Sequence, residues 1–136
     1  MIFTVENSVD IQDPADAVIA AALRTITPHG PGFFALTADD GSYVQTAGAR
    51  MKLCVEYRRQ TSEGYTHYVL GYSKSNDHSS RQINSSVGFI NLLAHEILDS
   101  NDATEIFCHF MHYNGVPKRF TLRDDTARFA ADQDVR

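Results

Sequence analysis

Three potential metal ligands lie on one face of a predicted helix in the last third of the chain. Glu105, His109 and His112 are spaced i, i+4 and i+7, and Cys108 is adjacent to one of them. Known types of zinc site add ligands from other segments at characteristic spacings, and the sequence has no CxxC or HExxH motif. A histidine–glutamate pair at positions 95–96 begins such a motif, but position 99 is aspartate. We therefore predict no metal site and interpret these side chains as the solvated face of the helix.

A cysteine and a histidine on neighbouring predicted strands could form a nucleophile and its base. Cys54 lies on the strand face of Lys52 and Glu56, which suggests partial exposure, and His67 lies on the following strand. A turn centred near residues 61 and 62 places position 54 opposite about position 69, not 67. No third group or oxyanion donor is evident, so we interpret Cys54 as a free structural thiol.

Paired carboxylates occur at positions 39–40 and 124–125, both in turn-like or terminal segments. Aspartate is favoured there because its side chain bonds to nearby backbone, whereas a general acid needs an apolar pocket that raises its pKa. The glycines fit no nucleotide-binding pattern, and no G-x-S-x-G elbow is present. The sequence therefore predicts a protein that is not an enzyme and has no cofactor.

The composition fits one acidic domain. The 136 residues are 43% apolar and carry a net charge of −5, which disfavours clamping nucleic acid or an anionic membrane surface. No run approaches the roughly 18 apolar residues of a membrane span, and the first ten residues do not resemble a signal peptide. We expect a cytoplasmic domain over residues 1–129, followed by a polar C-terminal tail at 130–136.

The hydrophobic periodicity predicts an α+β fold. A short strand at residues 2–6 precedes a helix that Asp13 can cap, with Pro14 at its first position. Strands near 33–37, 42–46, 51–58 and 65–72 form a four-strand antiparallel meander. A helix is predicted over residues 88–98, although Phe89 and Ile90 leave a strand possible at its start. Asp102 and Glu105 have capping-box spacing at the start of another helix. A last strand near 119–123 completes an antiparallel sheet of meander plus terminal strands, with the helices packed on one face.

The predicted sheet surface is rich in tyrosine and charge. Tyrosine combines an apolar ring with a polar tip and is common in protein interfaces, although on a half-buried strand it usually belongs to the core. An acidic domain also binds basic partners quickly because opposite charges steer their encounter. The tyrosines concerned are Tyr43, Tyr57, Tyr65, Tyr68 and Tyr72.

Two runs of the sequence resemble a known group of proteins. They are GPGFFALTADDGSYVQTAGARMKLCVEYR, followed by THYVLGY, and ATEIFCHFMHYNGVPKRFTLRDDT. Their aliphatic and aromatic spacing resembles the Imm1-like immunity proteins of bacterial polymorphic toxin systems, over about two-thirds of the chain. Members often carry a tryptophan in the final strand, near the place that Leu122 occupies here.

The resemblance implies an inhibitor that binds a cognate toxin, often a nuclease or nucleic-acid deaminase with a basic cleft, without catalysis. The family has no fixed binding motif, so the candidate residues follow from the surface argument. An acidic partner would cover such a cleft by imitating phosphate charge. The predicted partner-binding residues are the acids Asp39, Asp40, Glu56, Glu63 and Asp77 and the anchors Tyr65, Tyr68 and Tyr72.

Two other functions fit the same sequence. One is a structural or regulatory module that self-associates, for example as a homodimer joined along a sheet edge. The other is a small-ligand protein with a pocket between the sheet and the late helix, lined by His67, His109 or Cys108. The three functions differ in what the protein binds. The inhibitor binds another protein, the self-associating module binds a second copy of itself, and the small-ligand protein has a pocket.

Overall fold

A computed structural model describes residues 1–129, and the tail predicted at 130–136 lies outside the described residues. A 3-10 turn at Ala94–Glu96 precedes the second helix. No helix among residues 1–129 has the length and apolar character that crossing a membrane needs. In chain order the other elements are β1 (Ile2–Val5), β2 (Ile11–Gln12), α1 (Asp16–Leu23), β3 (Phe33–Thr37), β4 (Tyr43–Ala49), β5 (Lys52–Thr61), β6 (Gly64–Tyr72), β7 (Ser80–Ser85), β8 (Gly88–Leu93), α2 (Ser100–Tyr113) and β9 (Phe120–Asp124).

Seven of the described strands form one antiparallel sheet, in the order β2-β1-β3-β4-β5-β6-β9. Strands β3 to β6 are the predicted meander, and the terminal strands β1 and β9 pair with its outer strands, β3 and β6. The sequence left the positions of the first and last strands open. The α+β class and the antiparallel sheet are confirmed.

The first face of the main sheet packs against α1 and α2. Phe3, Leu36, Val44 and Tyr57 lie in one cross-strand row, because successive residues alternate between faces and partner residues share a face. Each large apolar side chain buried here contributes about 1.5–3 kcal/mol. The helices add Ile19, Leu23, Ala103, Ile106, Phe107 and Phe110, all with no exposed surface.

The second face of the sheet is also covered, by the hairpin of β7 and β8. A separate apolar cluster joins Cys54 and Val69 of the sheet to Ile83 and Leu92 of the hairpin. Cys54 is therefore buried, and the expectation that it is partly exposed is wrong. Strand β5 alternates as predicted, but neither of its faces is open to water along its middle.

The helix predicted over residues 88–98 is wrong. Strand β8 pairs with β7 in the register Ser80 with Leu93 through Ser85 with Gly88, and a 3-10 turn follows it. Ile90 and Leu92 belong to this apolar cluster while Phe89 and Asn91 are exposed, which is strand alternation. Gly88 has a φ of 109°, a conformation that glycine adopts without strain and that suits a tight hairpin turn.

Both helices begin at residues other than those predicted. Asp13 does not cap α1: it has a φ of 47°, and its carboxylate accepts a hydrogen bond from the N-terminal ammonium at 2.5 Å. The capping box of α2 is formed by Asp99 and Asp102, each carboxylate accepting from the other residue's backbone N–H at 3.0 and 3.1 Å. Helix α2 thus begins at Ser100, one turn earlier than the pair of Asp102 and Glu105 indicated.

The packing of the 3-10 turn on β6 yields a first prediction. A Cβ atom at Gly71 would lie 2.5 Å from Cδ2 of His95 and 2.8 Å from Oγ1 of Thr121. Alanine normally stabilises a strand relative to glycine, but here we expect Gly71→Ala to lower the free energy of unfolding by about 1–3 kcal/mol. Urea denaturation measures this difference.

Gly115→Ala is the matched control, because the nearest atom to a Cβ there is 3.9 Å away. Equal unfolding free energies for the two variants would show that His95 does not pack on Gly71.

Candidate functional site

A cleft of about 380 Å³ lies between the second face of the main sheet and the β7–β8 hairpin. Its apolar lining comes from Phe33 of the main sheet and from Val87, Phe89 and Ile90 of the hairpin. Two carboxylates and two guanidinium groups also line it and form what we call its charged wall, from Glu56, Asp125, Arg123 and Arg128. The volume of the cleft is within the range of small-molecule pockets.

Glu56 is the centre of one hydrogen-bonded network in this cleft. Its carboxylate bonds to Nε2 of His67 and accepts from Nη2 of Arg128 at 3.2 Å and Nε2 of Gln45 at 3.3 Å. Arg58 donates from Nε to Nδ1 of His67 at 3.2 Å, which places the imidazole proton on Nε2. Burial alone raises the pKa of Glu56, but the hydrogen bond from His67 and the charge of Arg128 outweigh it and lower the pKa.

Arg123 is the centre of a second network. Its Nε and Nη2 donate to the two carboxylate oxygens of Glu96, at 2.8 and 3.0 Å, and Glu96 has no exposed surface. Asp125 bridges the networks, accepting from Nε of Arg128 at 2.9 Å and facing Nη1 of Arg123 at 3.5 Å. The bidentate guanidinium thus gives the buried carboxylate of Glu96 the charge-assisted hydrogen bonds that water would otherwise supply.

The arrangement does not activate Cys54 as a nucleophile. Burial and the nearby charge of Glu56 raise the pKa of the Cys54 thiol far above its ordinary value, so it stays protonated at neutral pH. His67 is paired with Arg58 across the hairpin, so Cys54 and His67 are not opposite each other, as predicted. Position 69 faces Glu56, however, because the turn is centred one residue later than expected.

Three of the predicted acids lie together at one end of the main sheet. Asp39 and Asp40 form the β3–β4 turn and Glu63 the β5–β6 turn, and all three are exposed. Asp40 accepts from the backbone N–H of Ser42 at 2.8 Å and from Nδ2 of Asn114 at 2.9 Å, which lowers its pKa. We call Asp39, Asp40 and Glu63 the acidic end.

The two turns of the acidic end are tied to each other. The backbone N–H of Gln60 donates to Oγ of Ser42 at 2.9 Å, linking the end of β5 to the start of β4. Asp124, the last residue of β9, pairs with Tyr68 at the middle of β6, so it lies nearer to this end of the sheet than the rest of β9 does. The position of Asp124 in the sheet was not predicted, because the sequence does not determine which strand β9 pairs with.

The other predicted acids lie elsewhere. Glu56 is inside the cleft, and Asp77 lies in the loop after β6, at the opposite end of the sheet. Asp77 accepts from the backbone N–H and Oγ of Ser79, at 3.1 and 2.5 Å, which lower its pKa. That opposite end carries most of the exposed basic side chains, namely Arg50, Lys52, Lys74, Lys118 and Arg119.

The predicted tyrosine anchors do not share one surface. Tyr65 is on the second face, with the guanidinium of Arg58 3.9 Å above its ring. Tyr68 stacks on Tyr57 on the helix-covered face, with 5.9 Å between ring centroids. Tyr72 donates its hydroxyl to Asp102, and burial together with that carboxylate raises the pKa of Tyr72.

The ligand triad on α2 is divided among separate contacts. Glu105 binds Arg119 through two hydrogen bonds of 2.7 Å, His112 bonds to Asp16 at 3.0 Å, and the ring of His109 lies 4.8 Å from that of Tyr113. No group of three or more metal-ligating side chains occurs among residues 1–129.

The pocket predicted between the sheet and the late helix is not formed by its three proposed residues. His67 lies on the second face, while α2 packs on the first, where phenylalanine side chains fill the space. Burial and Asp16 raise the pKa of Cys108 to about 11. Arg123, Glu96 and Phe89 of the actual cleft were missed, although the strand alternation of residues 89–92 was a usable signal.

The Glu56 network predicts a pH-dependent stability difference. Since the pKa of Glu56 is lowered below its ordinary value of 4.5, its contribution is complete above that pH and is lost as the pH falls through the lowered pKa. We expect Glu56→Gln to lower the free energy of unfolding at pH 7 by about 2 kcal/mol. Urea unfolding at pH 7, 5 and 3 should show this gap shrinking only at the lowest pH, and a gap that is constant from pH 7 to 3 would contradict the network.

The Arg123–Glu96 pair predicts a larger effect. Arg123→Met leaves a fully buried carboxylate without its guanidinium, so we expect a loss of about 3–5 kcal/mol in the free energy of unfolding. Arg81→Met is the control, because Arg81 and Asp77 form a half-exposed pair, and it should cost less than about 0.5 kcal/mol. Similar losses in the two variants, measured by urea unfolding, would refute the buried pair.

No protein-family model and no curated protein matches this sequence.

Proposed function

We propose that this chain is an immunity protein that binds a cognate bacterial toxin and neutralises it without catalysis. The observation that carries the proposal is the acidic end: three exposed carboxylates on two adjacent, mutually bonded turns. The sequence resemblance implies the same role. Action in the cytoplasm, on a toxin made in the same cell or received from its kin, is part of the proposal.

The acidic end suits a basic partner for electrostatic reasons. Toxins that act on nucleic acid need a basic cleft, because their substrates carry a phosphate charge at every nucleotide. Carboxylates at the tip of a sheet can enter such a cleft and speed the encounter through steering. A nuclease or a nucleic-acid deaminase is therefore the proposed class of toxin.

The acidic end is also preorganised. Asp40 is held by Ser42 and by Asn114, which ends α2, so this carboxylate is already fixed before binding. A fixed side chain loses less conformational entropy when a partner binds, which leaves more of the interaction energy for affinity. Tyr65, near the start of β6 on the adjacent second face, is the nearest predicted anchor.

The other predicted partner-binding residues are excluded from this surface by their positions and contacts. Glu56 is neutralised within the chain, and Asp77 is at the other end of the sheet. Tyr68 and Tyr72 face the helices. The proposed binding surface thus consists of Asp39, Asp40 and Glu63 with Tyr65 beside them.

Charge reversal at the acidic end tests the proposal. The double variant Asp39→Lys with Glu63→Lys changes two exposed side chains for which no side-chain ion pair is formed among residues 1–129. We expect a basic toxin retained by the unmodified protein from host lysate to associate at least about tenfold more slowly with the variant at low salt. Mass spectrometry identifies the retained protein, and biosensor kinetics with the purified pair give the rates.

Asp77→Lys is the control for position, since it reverses one carboxylate at the opposite end of the sheet, and Asp39→Lys alone matches it in charge. Co-expression of the captured protein with either the unmodified chain or the control should restore host growth. Equal association rates for the double variant and the control would exclude the acidic end. Recovery of this chain alone from lysate that contains the toxin would favour the self-associating module.

A further inference from the structure

The cleft under the β7–β8 hairpin has an exposed apolar lining. Phe89 and Val87 expose 71% and 64% of their surface, although Ile90 and Leu92 of the same strand face the apolar cluster. Phe89 and Val87 of the hairpin and Phe33 of the main sheet line a cleft of about 380 Å³. A ring or short alkyl chain inserted there would remove apolar surface from water on both sides.

The charged wall presents donors rather than acceptors to this space. The side chains of Arg128 and Arg123 are 48% and 36% exposed, whereas those of Glu56 and Asp125 are 14% and 19% exposed. Both carboxylates accept from Arg128, Glu56 from its Nη2 and Asp125 from its Nε. The polar surface that a ligand meets is therefore mainly N–H.

Arg123 can accept a further anion without losing Glu96. It uses Nε and Nη2 on that carboxylate, and its Nη1 is 3.5 Å from the nearest oxygen of Asp125, a long contact. Guanidinium groups bind carboxylates through such remaining donors, with geometry that a single ammonium lacks.

The charge balance limits the anion. Three carboxylates and three guanidinium groups offset each other around the cleft, so no net positive charge is left to hold a dianion such as a phosphate monoester. They are Glu56, Glu96 and Asp125, and Arg58, Arg123 and Arg128. A single carboxylate needs only the local donors. We infer that this cleft binds a small amphipathic monocarboxylate, with its apolar body between Phe33 and Phe89 and its carboxylate on Arg123 and Arg128.

The test uses three probes of one shape: 3-phenylpropanoate, 3-phenylpropanol and 3-phenylpropylamine. Titration followed by ¹H–¹⁵N NMR should give the acid a Kd on the order of 1 mM, with shifts centred on residues 87–91. The alcohol and the amine should bind at least about tenfold more weakly, because neither accepts two charge-assisted hydrogen bonds.

Phe89→Ser and Arg128→Gln should each weaken binding of the acid by at least about fivefold. Met51→Ser is the matched control, since Met51 is also 71% exposed but lies in the β4–β5 turn, and its Kd should not change. Amide spectra of each variant establish that the fold is retained. Equal affinity for acid and alcohol, shifts centred outside the cleft, or no binding by about 10 mM would each overturn the inference.

Discussion

Two carboxylates lie beneath the β7–β8 hairpin, and the organisation of the second face depends on their neutralisation. Glu96 has no exposed surface and Glu56 very little, so each needs a cation and hydrogen bonds within the chain. Removing an isolated carboxylate from water costs several kcal/mol even after the surroundings relax. The guanidinium groups of Arg123 and Arg128 and the imidazole of His67 meet that requirement.

Because of this requirement, the two faces of the sheet differ in the chemistry of their side chains. The first face is apolar and is covered by two helices, where shape and volume decide which side chains fit. The second face is covered by a hairpin that leaves a cleft, and charged residues lie there beside an apolar cluster. The same sheet therefore provides a packed framework on one side and a charged cleft on the other, while its end carries the carboxylates that we propose bind a toxin.

The sequence indicated the first face well and the second face poorly. Alternation at Leu53, Val55 and Tyr57 identified the best strand, because a half-buried strand repeats every two residues. The same alternation made Cys54 and Glu56 look solvated, since periodicity cannot tell a wet face from one covered by a distant hairpin. Residues 88–98 were predicted as a helix because a short apolar run fits both periods.

The ion pairs of the second face could not be predicted from the sequence either. Glu56 and Arg128 are 72 residues apart, and no local pattern links them. The start of α2 was misplaced for a simpler reason. Asp99 with Asp102 and Asp102 with Glu105 both have capping-box spacing, and it is Asp99 that has the extended backbone of an N-cap residue. The acidic end was predictable in its residues but not in its grouping, which depends on the strand register.

The order of the chain gives the salt-bridge networks a consequence for biosynthesis. Both buried carboxylates lie in segments that leave the ribosome before Arg123 and Arg128 do, and strand β9 completes the sheet from the far edge. Until those arginines emerge, the β7–β8 hairpin cannot pack on the sheet without burying Glu56 and Glu96 away from their guanidinium partners. We therefore expect the helix-covered layer to consolidate first and the hairpin layer to dock late, in a single step that follows the arrival of the last strand.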